Sequence, residues 1–211
     1  VIIITHFGRP KGKKLPEFSV AFMKDSLSKA IGKPVEFVDD TIGEKVEDAI
    51  SKMNDGDIIL LENVRFYTEE EANDAEFSKK LASLGEIFVN DAFSTSHRAH
   101  ASTEGITKYI PSYAGLLMEE EINALTKALE NPAHPAIAIV GGSKVSTKLA
   151  VLENITKKVD ALVIGGAMAN TFLLAQGYNI GASMAEPEMT DTALKIIEEA
   201  KKNGCEIILP V

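Results

Sequence analysis

Short runs of β-branched and aliphatic residues alternate with amphipathic runs along all 211 residues of the chain. The apolar runs at 1–5, 35–38, 57–61, 86–90, 136–140, 161–164 and 205–209 predict strands. Between the second and third runs, Val46, Ala49, Ile50 and Met53 recur at i, i+3, i+4 and i+7. They therefore share one face of a helix while Glu44, Lys45, Glu47 and Lys52 look outward. Amphipathic runs of the same kind cover 19–30, 75–84 and 192–202. Strands that are apolar on both faces and separated by helices belong in parallel sheets, because a parallel connection needs a long crossover and the crossover helices cover the sheet. The predicted fold class is α/β, with Rossmann-like parallel sheets.

The alternation is interrupted at 118–130. Glu119, Glu120 and Glu121 occupy the first turns there, where the helix dipole favours negative charge, and Leu117, Leu125 and Leu129 are expected to mark a buried side. Asn131-Pro132-Ala133-His134-Pro135 then stops the helix, and a new strand and helix series follows. This predicts a long helix joining two α/β lobes, with a first lobe at 1–117, the helix and linker at 118–132 and a second lobe at 133–211. One continuous sheet with an ordinary crossover is the alternative. Because the chain opens and closes in strand-like sequence, Val1-Ile2-Ile3-Ile4 and Ile207-Ile208-Leu209-Pro210-Val211, both lobes are expected to be incomplete and the natural polypeptide to continue in both directions.

Composition narrows the class. With 45% apolar and 25% charged residues, the chain has the makings of an ordinary core, which excludes disordered and collagen-like proteins. A net charge of −9 and a pI near 5.0 argue against a nucleic-acid partner, so any anionic ligand must be held by local basic clusters. No apolar run approaches the roughly 20 residues of a membrane helix, and no membrane partner is expected. The single cysteine, Cys205, cannot form an internal disulfide; it reads as a core residue and fits a reducing compartment.

In open α/β sheets ligands bind beyond the carboxyl ends of the strands, so the polar residues after each strand carry the chemistry. After the first strand comes Thr5-His6-Phe7-Gly8-Arg9-Pro10-Lys11-Gly12, after the third Glu62-Asn63-Val64-Arg65-Phe66, and after the fourth a long loop holding His97-Arg98-Ala99-His100. Arginine offers a rigid fork of donors matched to phosphate and carboxylate, so Arg9, Arg65 and Arg98 could together hold a small acid carrying both groups, with histidines adding hydrogen bonds. Singly, each arginine could instead pair with a carboxylate such as Glu62 or Asp91. A zinc site at His6, His97 and His100 follows no recognised ligand spacing, and no metal ligands are assigned.

The second lobe offers Gly141-Gly142-Ser143-Lys144-Val145-Ser146-Thr147-Lys148. A glycine turn feeding a helix lets phosphate oxygens meet free N–H groups, and Lys144 and Lys148 are expected to share one helical face near its start. It is not the common P-loop, which requires glycine where Ser143 and Ala138 stand. Gly165-Gly166-Ala167-Met168 closes the next strand with small residues that would admit a ligand to the backbone.

These segments, with Asn90-Asp91-Ala92-Phe93 between them, resemble the ordered motif series of phosphoglycerate kinases over the whole chain. The resemblance implies a two-lobed, monomeric, cytoplasmic glycolytic enzyme. Such an enzyme interconverts 1,3-bisphosphoglycerate and ADP with 3-phosphoglycerate and ATP, using Mg2+ bound with the nucleotide, on lobes that close. It further implies that His6, Arg9, Arg65 and Arg98 bind the phosphoglycerate with His97 close by, and that Lys148 contacts nucleotide phosphates. Gly165, Gly166 and Ala167 would flank the adenine, and Lys144 would stabilise the phosphoryl group in transfer. Ser94-Thr95-Ser96 and Ser143 depart from the family's usual residues, with neutral effect expected. The family's first strand with its Asp-x-Asn loop, and its later ribose and phosphate contacts, would lie outside residues 1–211, so little or no activity is expected of this stretch alone. A two-lobed protein that binds a phosphorylated anion without catalysis is the alternative; it would need the basic rim but not the paired lysines.

Overall fold

The computed structural model describes residues 1–130 and 132–210. Strands run at β1 (Ile2–Ile3), β2 (Glu36–Val38), β3 (Ile59–Leu61), β4 (Phe88–Asn90), β5 (Ser112–Ala114), β6 (Ile137–Gly141), β7 (Ala161–Gly165) and β8 (Glu206–Ile208). The helices are α1 (Met23–Ile31), α2 (Glu44–Ser51), α3 (Thr68–Glu71), α4 (Ala75–Ala82), α5 (Leu116–Leu129), α6 (Leu149–Ile155), α7 (Ala167–Ala175) and α8 (Thr190–Lys202). The chain divides into two compact units, Val1–Glu121 and Ile122–Val211, and the division falls inside α5.

Every strand pairing is parallel, as the alternation of elements requires. In the first unit β3 is central between β1 and β2, and its run is apolar without a break because both faces are covered. Ile59 and Leu61 turn into a core with Val38, Val46, Phe77 and Leu81. Ile58 and Leu60 turn to the other side, against Val20 and Val35. Leu60 and Leu61 are fully buried, each worth about 1.5–3 kcal/mol of transfer free energy. The remaining strands of this unit, β4 and β5, form a separate two-stranded sheet. Residues of β1 and β4 line a common cleft of about 430 Å³, with Thr5 and His6 on one wall and Asn90 and Asp91 on the other. The cleft runs along the whole of both strands and takes in the residues that follow them, Thr5 and His6 after β1 and Asp91 after β4.

The second unit has one sheet in the order β6-β7-β8. Leu162 and Ile164 of β7 pack with Met168 and Phe172 of α7, Ile196 and Ala200 of α8, and the buried Cys205. On the edge strand β6, Ala138 and Val140 join this core while Ile137 and Ile139 stand exposed.

Three expectations need correction. The leucines taken to mark the buried side of the joining helix, Leu117, Leu125 and Leu129, are exposed, and Met118 is the buried residue of α5. Periodicity identifies an apolar stripe but not whether anything covers it. The run at 19–30 becomes helical only at Met23, because Glu62 captures the Val20 amide and the Ser19 hydroxyl. The helix expected to carry Lys144 and Lys148 starts at Leu149, so the two lysines share no helical face. Lys144 lies in the loop after β6, and Lys148 closes a turn in which its N–H donates to the Val145 carbonyl at 2.9 Å.

Candidate functional site

In the first unit the loops after β1, β3 and β4 are fastened together by buried side chains. Asn63, fully buried, donates from Nδ2 to the carbonyls of Phe7 and Phe18, each at 2.8 Å, and accepts the Arg65 amide at 3.0 Å. Glu62, also buried, accepts the amides of Val20 and Asn63 at 2.9 and 2.8 Å and the Ser19 hydroxyl at 2.7 Å. Gly8 sits at φ 63°, and a Cβ there would lie 2.4 Å from the Phe18 ring, so the turn bearing Arg9 needs glycine. After β4, the Asp91 carboxylate accepts the Met118 amide at 2.9 Å. The carboxylates considered as partners for the arginines, Glu62 and Asp91, are therefore committed to backbone and hydroxyl groups.

Arg65 is 6% exposed. Its Nη1 donates to the Gly8 carbonyl at 3.3 Å, and its Nε, buried without a hydrogen-bond partner, lies 3.7 Å from Glu71 Oε1. A buried donor left unmade costs about 1–3 kcal/mol, a cost that the nearby Glu71 carboxylate offsets in part. Burial disfavours its charge, the positive charges of Arg98 and Arg9 add to that, and Glu71 and Glu70 oppose it. The half-buried His6 belongs to the same group. Burial first, then the charges of Arg65, Arg98 and His100, hold its imidazole below the ordinary 6.5, with a weaker upward pull from Glu71. Electrostatics thus link His6 to Arg65, Arg98 and His100, and Arg65 in turn to Arg98 and the exposed Arg9, in a chain that is acidic elsewhere. His97, which precedes Arg98 in the chain, is exposed.

In the second unit the two glycine pairs meet. Gly141 and Gly165 are register partners at the ends of β6 and β7. Gly166, at φ 70°, lies so close to the first loop that a Cβ would stand 2.8 Å from the Gly142 carbonyl, which accepts the Met168 amide at 2.9 Å. Ala167 opens α7. The stem of Lys148 passes close to Gly142, its Cε 3.8 Å from where a Cβ would be. Lys144 and Lys148 are exposed, and neither enters an ion pair among the described residues.

Two carboxylates that matter for these loops escaped sequence reasoning. Glu186, 8% exposed, accepts the Ser146 hydroxyl at 2.6 Å and its amide at 3.1 Å, and donates its own amide to Thr171 Oγ1 at 3.0 Å. The Ser146 hydroxyl above all, and more weakly the charge of Lys144, keep its carboxyl below the usual range. It lies 40 residues from Ser146 in an unremarkable stretch, Met184-Ala185-Glu186-Pro187, which carries no local signal. Glu70 is the buried middle member of an acidic run that reads as a solvated helix start. Among the described residues no three His, Cys, Asp or Glu side chains converge as a cation site, and no helix is long and apolar enough to cross a membrane.

By fold the chain is a parallel α/β protein of two units, with a basic rim in one and a lysine-bearing glycine turn in the other. The chain belongs to the phosphoglycerate kinase family, whose model matches residues 1–211. It is 59% identical to a phosphoglycerate kinase of Granulibacter bethesdensis and 54% identical to one of Caulobacter vibrioides, in each case over 100% of this chain and 53% of the relative. Among solved structures, that of phosphoglycerate kinase from Coxiella burnetii matches with a TM-score of 0.86 and 46% identity, covering 100% of this chain and 53% of that one. The enzyme from Pyrococcus horikoshii matches with a TM-score of 0.79 and 31% identity, covering 100% and 55%. The chain spans about half the length of the curated relatives it matches.

Proposed function

We propose that the polypeptide carrying this chain, at the length of its relatives, transfers a phosphoryl group reversibly between 1,3-bisphosphoglycerate with ADP and 3-phosphoglycerate with ATP. The first lobe, 1–117, takes the acid; the second, 133–211, takes the nucleotide; residues 118–132 join them. The observation that carries this reading is the convergence of His6, Arg9, Arg65 and Arg98, with the Arg65 Nε buried and lacking a hydrogen-bond partner. Three guanidinium forks and an imidazole suit a ligand bearing both phosphate and carboxylate. His97 completes the rim from its exposed edge.

Lys148, folded over the Gly142 turn, meets nucleotide phosphates, and Gly165, Gly166 and Ala167 leave the backbone open to the base. Lys144 stabilises the phosphoryl group in transit. Transfer through a loose transition state asks for positioning and positive charge, not a covalent nucleophile. Mg2+ enters with the nucleotide. A monomeric, cytoplasmic glycolytic enzyme fits this reading. Residues 1–211 alone are expected to turn over little or not at all.

A coupled assay on the full-length polypeptide with 3-phosphoglycerate and ATP tests the proposal. Turnover is expected, and Arg65→Ala should raise the KM for 3-phosphoglycerate by roughly 10- to 100-fold, the range for losing hydrogen bonds to a charged group, with the KM for ATP unchanged. Tight binding of the acid without turnover would instead support a non-catalytic binding protein.

A further inference from the structure

Glu70 has no part in the roles given above, yet it is one of the most buried charged groups of the first unit, 2% exposed at the end of the short α3 while its neighbours Glu69 and Glu71 reach solvent. Both its carboxylate oxygens are engaged. Oε2 accepts the Ser102 amide at 2.9 Å; Oε1 accepts the Ser102 hydroxyl at 2.6 Å and lies 3.7 Å from His100 Nδ1. Ser102 belongs to the wide π-helical turn Ala101–Gly105, directly after the rim residues Arg98 and His100. That turn is locked backward as well: the Thr103 hydroxyl donates to the Arg98 carbonyl at 2.7 Å and accepts the His100 amide at 3.0 Å. One carboxylate, reaching across 32 residues, therefore fixes the segment 98–103 from a different element.

A buried carboxylate is a costly anchor, since desolvation opposes its charge. Here burial raises the Glu70 carboxyl above its ordinary value, and the Ser102 hydroxyl and amide with the charges of His100 and Arg65 offset only part of that rise. Glutamine of the same shape would keep one acceptor for the Ser102 amide, but it would lose the negative charge facing His100 and Arg65 and turn an NH2 toward the Ser102 hydroxyl. We propose that Glu70 is a positioning residue of the acid-substrate site. Its carboxylate holds Arg98 and His100 in register with Arg65 and His6, and it touches no substrate itself. The inference rests on reading the rim as the 3-phosphoglycerate site.

The test is steady-state kinetics of Glu70→Gln and Ser102→Ala in the full-length polypeptide. Glu70→Gln should raise the KM for 3-phosphoglycerate about tenfold, in keeping with loss of a charge-assisted hydrogen bond, with the KM for ATP unmoved and kcat within about twofold. Ser102→Ala, which keeps the carboxylate, should act in the same direction but less, and the double variant should be no worse than Glu70→Gln alone, because both act through one contact. A merely structural role would lower the folded fraction or Tm and leave KM in place. If Glu70→Gln fails to fold, the KM of Ser102→Ala decides. A wild type that turns over while the folded variants keep its KM for 3-phosphoglycerate overturns this inference alone; a wild type that does not accept 3-phosphoglycerate overturns the functional reading as well.

Discussion

The two units handle positive charge in opposite ways. In the first, Arg65 is buried at 6% exposure, and burial and like charge weigh against protonation of His6 and Arg65. In the second, Lys144 and Lys148 are exposed and the order lies in the backbone, where paired glycines bring two loops to within contact. A buried guanidinium among other cations is held in place before any anion arrives; free lysines over a glycine turn can follow charge that moves. On the function proposed above, the first design would suit ground-state recognition of the acid. The second suits a charge that develops in the transition state.

The sharpest way to break this contrast is Lys144→Ala in the full-length polypeptide. If Lys144 acts on the phosphoryl group in flight, kcat should fall by roughly 10²–10³-fold, as when one donor to a developing charge is removed. The KM for ATP should change only a few-fold, and initial-rate kinetics separate the two. Equal losses in kcat and nucleotide affinity would reduce Lys144 to an ordinary phosphate contact, and the two units would then differ only in degree.

A smaller effect should come from the clamp behind that lysine. Removing the hydroxyl of Ser146 by Ser146→Ala, or a charge from Glu186 by Glu186→Gln, loosens the loop between β6 and α6 without touching either lysine. A hydrogen bond of this kind is worth about 1–3 kcal/mol, so kcat should drop by roughly 5- to 150-fold. The KM for 3-phosphoglycerate should stay put, because no part of the first unit is involved. A rise in that KM would mean that the two sites are not energetically separate.

Much of this arrangement was legible in the sequence, for physical reasons that differ from element to element. β3 could be read because it is apolar on both faces, and the loops after β1, β3 and β4 because glycine, arginine and histidine cluster there. β5 was missed: Ser112, Tyr113 and Ala114 are all exposed, so the pairing with β4 leaves no hydrophobic period. The separation of the first unit into two sheets was invisible, since local sequence encodes strands but not which edges meet. The helix placed over Lys144 and Lys148 failed because Glu186, 40 residues distant, holds Ser146 in a turn. Glu70 was hidden for the same kind of reason: nothing in Glu69-Glu70-Glu71 distinguishes the member that points inward, and its partner Ser102 lies 32 residues on.

The smallest expected effect, and the most direct probe of the crowded socket, is the titration of His6. Its folded-state value is lowered from 6.5, so between that lowered value and 6.5 the unfolded chain binds the proton and the folded chain does not. Stability then rises with pH across this window; it is complete above 6.5 and is lost as pH falls through it. An anion placed among Arg65 and Arg98 would cancel part of the positive field that disfavours the imidazolium, so binding should shift the His6 value upward and take up protons in the same window. NMR titration of the His6 ring with and without 3-phosphoglycerate reads this directly, whatever the ligand's own phosphate does. An upward shift places the ligand in the socket. No shift, with binding confirmed by calorimetry, would put the acid elsewhere on the first unit and remove the main reason for contrasting it with the second.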